Sequence, residues 1–318
     1  MSTAFQPDDA LAQWRRAVER RLAALLPAEA AGVAGAMQAA VLTPGKRLRP
    51  LLVLAVGEAL GARGPGLLDF ACAVEMIHCA SLVLDDMPAM DDARLRRGQP
   101  TVHLRFGEDV AMLAAVALVS EACRVAASAP ALRAPARARA VQVLCEAVGP
   151  LGLVRGQYRD LHEGAGARSA AAAAETNDQK TGVLFAAALE LSACAAGRAR
   201  AVPDLRRAAL AIGQAFQLRD DLEDLLPAGE GREDPLQDAG KSTVVQLLGA
   251  DAVRRSVDAH LGQARQALRS ALGRDDALLT GLLRRAFPET PQPLAADFPD
   301  RAVPAWHRVG DVPLSVAT

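Results

Sequence analysis

Aromatic side chains are scarce in this 318-residue chain, at one Tyr, two Trp and seven Phe. A core without them must be built from Ala, Leu and Val, the palette of packed helices. Strand signals are nearly absent too. No segment alternates β-branched with polar residues, and no Asn-Gly or Asp-Gly pair marks a hairpin. Net charge is only −1, which argues against broad attraction to nucleic acid or an anionic membrane, so any anion site must be local. Cys72, Cys79, Cys123, Cys145 and Cys194 include no CxxC pair. They read as buried small hydrophobes in a reducing compartment, not as a disulfide or zinc framework. The first residues, MSTAFQPDDALAQWRRAVERRL, lack the apolar core of a signal peptide. The longest clean apolar run, VAMLAAVALV, is about half a membrane span. The expectation is a cytoplasmic protein with no membrane span and no nucleic-acid partner.

What is present is helical spacing. With 51% hydrophobic and 23% charged residues the chain is globular, and its length can bury a substantial core. The pattern predicts helices over 8–26, 28–42, 47–62, 66–87, 107–127, 135–149, 151–162, 171–197, 203–225, 241–248 and 250–272. Pro44, Pro50, Pro88, Pro130, Pro135 and Pro203 fall between or at the ends of these blocks, where helices begin or stop. EGAGARSAAAAA, at 163–174, reads as a flexible loop. No composition shift divides the middle, so one all-α domain over 1–287 is expected, followed by an irregular Pro-rich tail over 288–318.

Two acidic clusters interrupt the apolar pattern. In FQLRDDLEDLL, helical geometry projects Asp220, Asp221 and Asp224 from one side, with Gln217 one turn earlier. Three carboxylates on one helix face repel one another unless a cation intervenes, and oxygen-only ligands favour Mg²⁺. In SLVLDDMPAMDDARLRRGQP, Asp85 and Asp91 are six residues apart, which a continuous helix would place about 120° from each other. Pro88 should end or kink the helix, and a chain that bends could bring an aspartate back beside Asp85. Spacing does not choose between Asp91 and Asp92. Each cluster is entered from an apolar helix, where unpaired carboxylates are costly to bury.

Basic residues suited to phosphate accompany them. TPGKRLRP offers Lys46, Arg47 and Arg49, RLRRG offers Arg96 and Arg97, NDQKTG offers Lys180 and Thr181, and DAGKST offers Lys241. The last lacks the upstream glycine and strand of a nucleotide-binding loop. His78 lies two helical turns before Asp85 and, with Glu75 nearby, is either a neutral core histidine or a phosphate donor. The combination suggests two anionic substrates, one bound through metal and one by cations directly.

Six stretches resemble the trans-isoprenyl diphosphate synthases in order and spacing: GKRLRP, AVEMIHCASLVLDDMPAMDDARLRRGQPTVH, GLVRGQYRDL, QKTGVLF, AFQLRDDLEDL and QDAGKST. The resemblance is strongest to bacterial geranylgeranyl diphosphate synthases of carotenoid pathways. It implies an isoprenoid-synthase fold, with antiparallel helices around a deep central cavity, usually as a homodimer. It also implies three Mg²⁺ bound by Asp85, Asp86, Asp91, Asp220, Asp221 and Asp224 together with the diphosphate of an allylic substrate (dimethylallyl, geranyl or farnesyl). Arg96, Lys180, Thr181, Gln217 and Lys241 would assist there, while Lys46, Arg49, His78 and Arg97 would bind isopentenyl diphosphate. The pair before the first aspartate, Ala80 and Ser81, would help gauge product length, and a small Ala80 implies a twenty-carbon product.

The chain departs from that pattern at Pro44, Leu84, Ala93 and Arg94, at Arg219 beside the second cluster, and at Arg232. A fifteen-carbon farnesyl synthase is the nearest alternative. A class I terpene cyclase would have no need of Lys46 and Arg49, and a non-catalytic subunit should have lost an acidic cluster.

Overall fold

In a computed structural model that describes residues 7–163, 175, 178–224 and 249–288, helical spacing becomes twelve α-helices. They are α1 (Pro7–Leu25), α2 (Gly32–Leu42), α3 (Leu48–Ala59), α4 (Pro65–Asp85), α5 (Val102–Phe106) and α6 (Glu108–Ala127). Then come α7 (Ala134–Val148), α8 (Leu153–Glu163), α9 (Val183–Ala196), α10 (Val202–Asp224), α11 (Ala250–Leu272) and α12 (Ala277–Ala286). A π-helical turn, Asp178–Gly182, leads into α9. The fold is all-α.

Helix α4 is the central element. Pro65 opens it, where a missing N–H costs nothing. Phe70, Ala71, Ala73, Val74 and Ile77 along it are fully buried or nearly so, against α3, α6 and α9. Its partner α6 contributes Ala111, Ala114, Ala115 and Ala122, all buried, whose small side chains allow close approach. Burying a single large side chain such as Phe70 stabilises the fold by roughly 1.5–3 kcal/mol. A second apolar cluster joins α3 and α9 to α10, α11 and α12 through Leu52, Leu189, Ile212, Leu261 and Leu282. Thus α3 and α9 are shared by both clusters, and the ends of α3, α4 and α10 are held in fixed relation.

Several boundaries differ from the expected ones. α2 begins at Gly32 instead of 28, α4 stops at Asp85 instead of 87, and α9 begins at Val183 after the π-helical turn. α5 and α12 were not expected. α12 is short, but Asp276 caps it by accepting the Leu279 N–H at 3.0 Å. A small antiparallel hairpin pairs Leu95–Arg96 (β1) with Gln99–Pro100 (β2). Its two turn residues, Arg97 and Gly98, both have positive φ, at 53° and 73°. That is the geometry of the tight turn usually written Asn-Gly, here written Arg-Gly, which hid it from a search for Asn-Gly or Asp-Gly. The expected helix over 241–248, the loop over 163–174 beyond Glu163, and the tail from 289 lie outside the described residues.

Two helices, α4 and α6, are each long and apolar enough to cross a membrane by length and composition, although no run in the sequence is. In α4, 72% of that stretch is buried inside the protein, and in α6 39%. Cys72 and Cys79 are buried as expected; Cys145 is exposed, its Sγ 3.9 Å from that of Cys123.

Candidate active site

The first acidic cluster is made by a turn that folds the chain back on the end of α4. The Asp91 N–H donates to the Asp85 carbonyl at 3.0 Å, Asp92 N–H to Met87, and Ala93 N–H to Asp86. Asp91 is therefore the aspartate returned beside Asp85. Asp92, exposed and with φ +49°, occupies the left-handed corner that makes the return possible. Asp86, also expected among the metal ligands, is engaged by an arginine. It is almost fully buried, and its Oδ1 accepts from Arg96 Nε and pairs with Arg96 Nη2, each at 2.7 Å. The hairpin that presents Arg96 is pinned to this turn by Thr101, whose hydroxyl donates to the Ala93 carbonyl.

Lys180 reaches this cluster from the π-helical turn. Its Nζ lies 2.7 Å from Oδ2 of Asp160 on α8. Close packing of α8 on the turn requires Gly156, since a Cβ there would sit 2.5 Å from the Lys180 nitrogen. Burial opposes the charge of Lys180, but Asp85, Asp160 and Asp91 outweigh it and raise its pKa. The Asp85 carboxyl is pushed up to about 6, first by burial and then by Asp91 and Asp160, with Lys180 and Arg96 opposing. Crowded, partly desolvated carboxylates of this kind are what a hard divalent cation relieves.

The second cluster lies on the uninterrupted last turns of α10. Leu218 and Leu222 are buried against Val253 of α11, which leaves Asp220 on the opposite side of the helix and Asp221 on its flank, both half-buried. Gln217 Nε2 donates to Asp221 Oδ1 at 3.0 Å, and the Thr181 hydroxyl approaches Gln217 Oε1 at 3.5 Å. This short chain ties the π-helical turn to the second cluster. Arg219 leaves the site, bonding the Ala286 carbonyl at the end of α12 and pairing with Glu223. The Asp224 side chain and Lys241 lie outside the described residues. Among the described residues no three His, Cys, Asp or Glu side chains already converge as a metal site. The donor set, carboxylate oxygens only, fits a hard cation such as Mg²⁺, which one or two carboxylates would hold with other oxygen ligands completing its shell.

The basic side is built around two arginines two residues apart. Arg47, left-handed at φ 51°, is buried and ion-paired: Nη1 meets Glu75 at 2.7 Å and Nη2 donates to the Val41 and Thr43 carbonyls, while its Nε has no hydrogen-bond partner. Arg49 is nearly as buried but stacks on Phe185, 4.4 Å from the ring centroid, with Phe216 at 5.8 Å. Its Nη1 lies 3.3 Å from His78 Nε2, and its Nε has no hydrogen-bond partner. Burial pulls the Arg49 pKa down to about 10, with Glu75 and Asp220 pulling the other way through space. His78 is driven well below its ordinary value by burial, then by Arg49, Arg97, Arg96 and Arg47, and so stays neutral. Arg97 lies over Gly45, its Nη1 3.5 Å from the Thr43 carbonyl, while Lys46 is exposed on the same loop. A cation cluster whose Arg49 is held by an aromatic ring and a histidine, with no carboxylate as its ion-pair partner among the described residues, is suited to receive an anion.

Ala80 sits in the core one turn above the first cluster, and Ser81 bonds the His78 carbonyl at 2.9 Å. Asp160, Phe185 and Phe216 carried no assigned role in the sequence reading. Asp160 had a visible signal, an acid at helical spacing from Gly156 in RGQYRDL, but its partner is twenty residues away.

Residues 31–271 match the family model for polyprenyl synthetase. The chain belongs to the polyprenyl synthetase family. Among its relatives, the geranylgeranyl diphosphate synthase of Pantoea ananas is 49% identical over 268 residues, covering 83% of this chain and 88% of that protein. The farnesyl diphosphate synthase of Escherichia coli (strain K12) is 40% identical over 256 residues, covering 78% and 86%. In three dimensions, a farnesyl/geranylfarnesyl diphosphate (FPP/GFPP) synthase from Zymomonas mobilis superposes with a TM-score of 0.77 at 31% identity, covering 88% of this chain and 97% of that one. A geranyltransferase from Legionella pneumophila gives 0.78 at 30% identity, covering 88% and 96%. Both acidic clusters of this polyprenyl synthetase chain lie within the matched residues 31–271.

Proposed function

We propose that this polyprenyl synthetase is a geranylgeranyl diphosphate synthase, joining isopentenyl diphosphate to an allylic diphosphate with Mg²⁺ as cofactor. The observation that carries the reading is the pairing of two acidic clusters with a separate basic region in which buried Arg49 meets His78 and Arg97 lies over Gly45. Asp85, Asp91, Asp220, Asp221 and Asp224 are the residues that would hold magnesium. Asp86, clamped by Arg96, shapes the first turn from behind. Bound magnesium supplies charge neutralisation to the departing pyrophosphate. Lys180, Gln217 and Lys241 orient the allylic diphosphate, and Lys180 adds a fixed positive charge where negative charge grows as the C–O bond breaks. Arg49, Arg97, Lys46 and His78 hold the second diphosphate, so that the isopentenyl double bond faces the allylic cation. Buried apolar side chains along α4 keep water from that cation. The released pyrophosphate accepts the final proton, and no protein nucleophile is needed.

Two features support the finer reading. The relatives named geranylgeranyl diphosphate synthase share 49% identity with this chain, against 40% for the farnesyl enzyme of E. coli. Ala80 is also small at the position one turn above the metals, leaving depth for a twenty-carbon chain. Incubation with isopentenyl and farnesyl diphosphates plus Mg²⁺ should give a twenty-carbon product by chromatography, and Ala80→Tyr should shift the main product to fifteen carbons. A wild-type product ending at fifteen carbons would favour the farnesyl alternative, and no turnover with any allylic primer would favour a non-catalytic subunit. A homodimer is part of the same proposal. Met112, Leu113 and Val116 on α6 and Leu151, Val154 and Tyr158 on and beside α8 are exposed apolar residues of the kind a second copy would cover.

A further inference from the structure

We propose that Arg47 and Glu75 are a pair of positioning residues that fix Lys46, Arg49 and His78 relative to one another and so shape the site for isopentenyl diphosphate. The inference rests on the assignment of that substrate to the basic region above. In GKRLRP, Lys46 and Arg49 take the diphosphate, while Arg47 between them has no role in the reaction. Its side chain is 1% exposed and lies 2.7 Å from the carboxylate of Glu75, itself 2% exposed. A guanidinium neutralised in this way is a poor second anion site. Arg49, by contrast, meets a histidine and an aromatic ring and has no carboxylate partner among the described residues.

The guanidinium of Arg47 joins three elements. Its Nη1 meets Glu75 on α4 at 2.7 Å, and its Nη2 donates to the carbonyls of Val41 at 2.7 Å and Thr43 at 2.9 Å. Val41 lies in the last turn of α2 and Thr43 just past its end, where carbonyls lack helical partners. The backbone of Arg47 is left-handed and caps the start of α3. The loop from 43 to 47, which carries Lys46, is therefore closed by the side chain of its own last residue. Arg49 follows two residues on, in the first turn of α3. Glu75 stands three residues, about one helical turn, before His78 on α4. The Arg47–Glu75 contact thus sets the loop and the start of α3 against the part of α4 that presents His78. Across that junction Arg49 Nη1 meets His78 Nε2 at 3.3 Å. Arginine suits the task because its planar fork bonds a carboxylate and carbonyls at once.

Replacing a buried ion pair by apolar side chains of similar size is often neutral for stability, which lets geometry be tested apart from folding. The test is the steady-state KM for each substrate on the full chain, with the melting temperature as a second readout. Arg47→Met leaves Glu75 buried and unpaired and should lower the melting temperature. Adding Glu75→Leu removes that charge and should return the melting temperature toward the wild-type value. The double variant should nevertheless show a KM for isopentenyl diphosphate raised about tenfold, the scale of one lost charge-assisted hydrogen bond. Its KM for farnesyl diphosphate should change by no more than about twofold. A stable double variant with a wild-type KM for isopentenyl diphosphate would overturn the proposal, since the pair would then serve folding alone. Equal rises in both KM values would also overturn it. If neither variant folds, by circular dichroism, Arg47→Lys decides, because it keeps the charge without the fork. It should raise the KM for isopentenyl diphosphate selectively, by about threefold, and wild-type behaviour there would overturn the proposal. Wild-type protein that turns over no isopentenyl diphosphate would overturn the functional reading and this inference together, whereas normal wild-type turnover with unaffected variants would overturn the inference alone.

Discussion

The two acidic clusters place their carboxylates by opposite means. On α10 helical periodicity is enough: buried Leu218 and Leu222 face α11, and Asp220 and Asp221 are left off that face of the same unbroken helix. At the end of α4 the helix must stop, and a chain of backbone bonds, a left-handed Asp92 and the Arg96 clamp on Asp86 bring Asp91 back to Asp85. A regular helix fixes spacing cheaply but admits only neighbours at three and four residues. A turn reaches further along the chain, and it needs supporting groups to hold its shape. Of the four described non-glycine residues with left-handed backbone, Arg47, Asp92 and Arg97 all border the site, so local strain is concentrated where function needs it.

If the clusters work as one unit on one diphosphate, removing either should be as damaging as removing both. Asp85→Asn and Asp220→Asn should each lower kcat by about 10²–10³, the usual cost of losing one preorganised electrostatic contact. The double variant should fall well short of the product of the two losses, measured by steady-state turnover on folded protein. Multiplicative losses would separate the clusters into independent sites. A finer contrast lies within the turn. Asp91→Asn should lose turnover on the scale of Asp85→Asn, whereas Asp92→Asn should change it by no more than about twofold. Asn also tolerates the left-handed corner, and exposed substitutions away from special features are nearly neutral. Equal losses at both positions would show that the turn does not select the returning aspartate.

This contrast also marks what could be read from the chain alone. The all-α fold, the helices from α3 to α10 other than the short α5 and the start of α9, and the placement of Asp220 and Asp221 off the packed face follow from periodicity, which is local. The choice of Asp91 over Asp92 depends on hydrogen bonds from the turn to Asp85, Asp86 and Met87, which no spacing rule encodes. The division of labour between Arg47 and Arg49 was hidden for the same reason. Both read as basic residues in the first turn of a helix. Only packing shows that Glu75 neutralises the first while Phe185 carries the second with its charge free to meet an anion. Asp160 stayed unassigned because its partner arrives on a distant π-helical turn, and the hairpin because its turn is Arg-Gly.

The central claim, that both clusters share one diphosphate through metal, is tested most directly by a crystal grown with Mn²⁺ and inorganic pyrophosphate and measured for anomalous scattering. The account predicts Mn²⁺ peaks between pyrophosphate oxygens and Asp85 and Asp91, and others between the same pyrophosphate and Asp220 or Asp221. Metal confined to a single cluster, with the other carboxylates turned from the pyrophosphate, would contradict it.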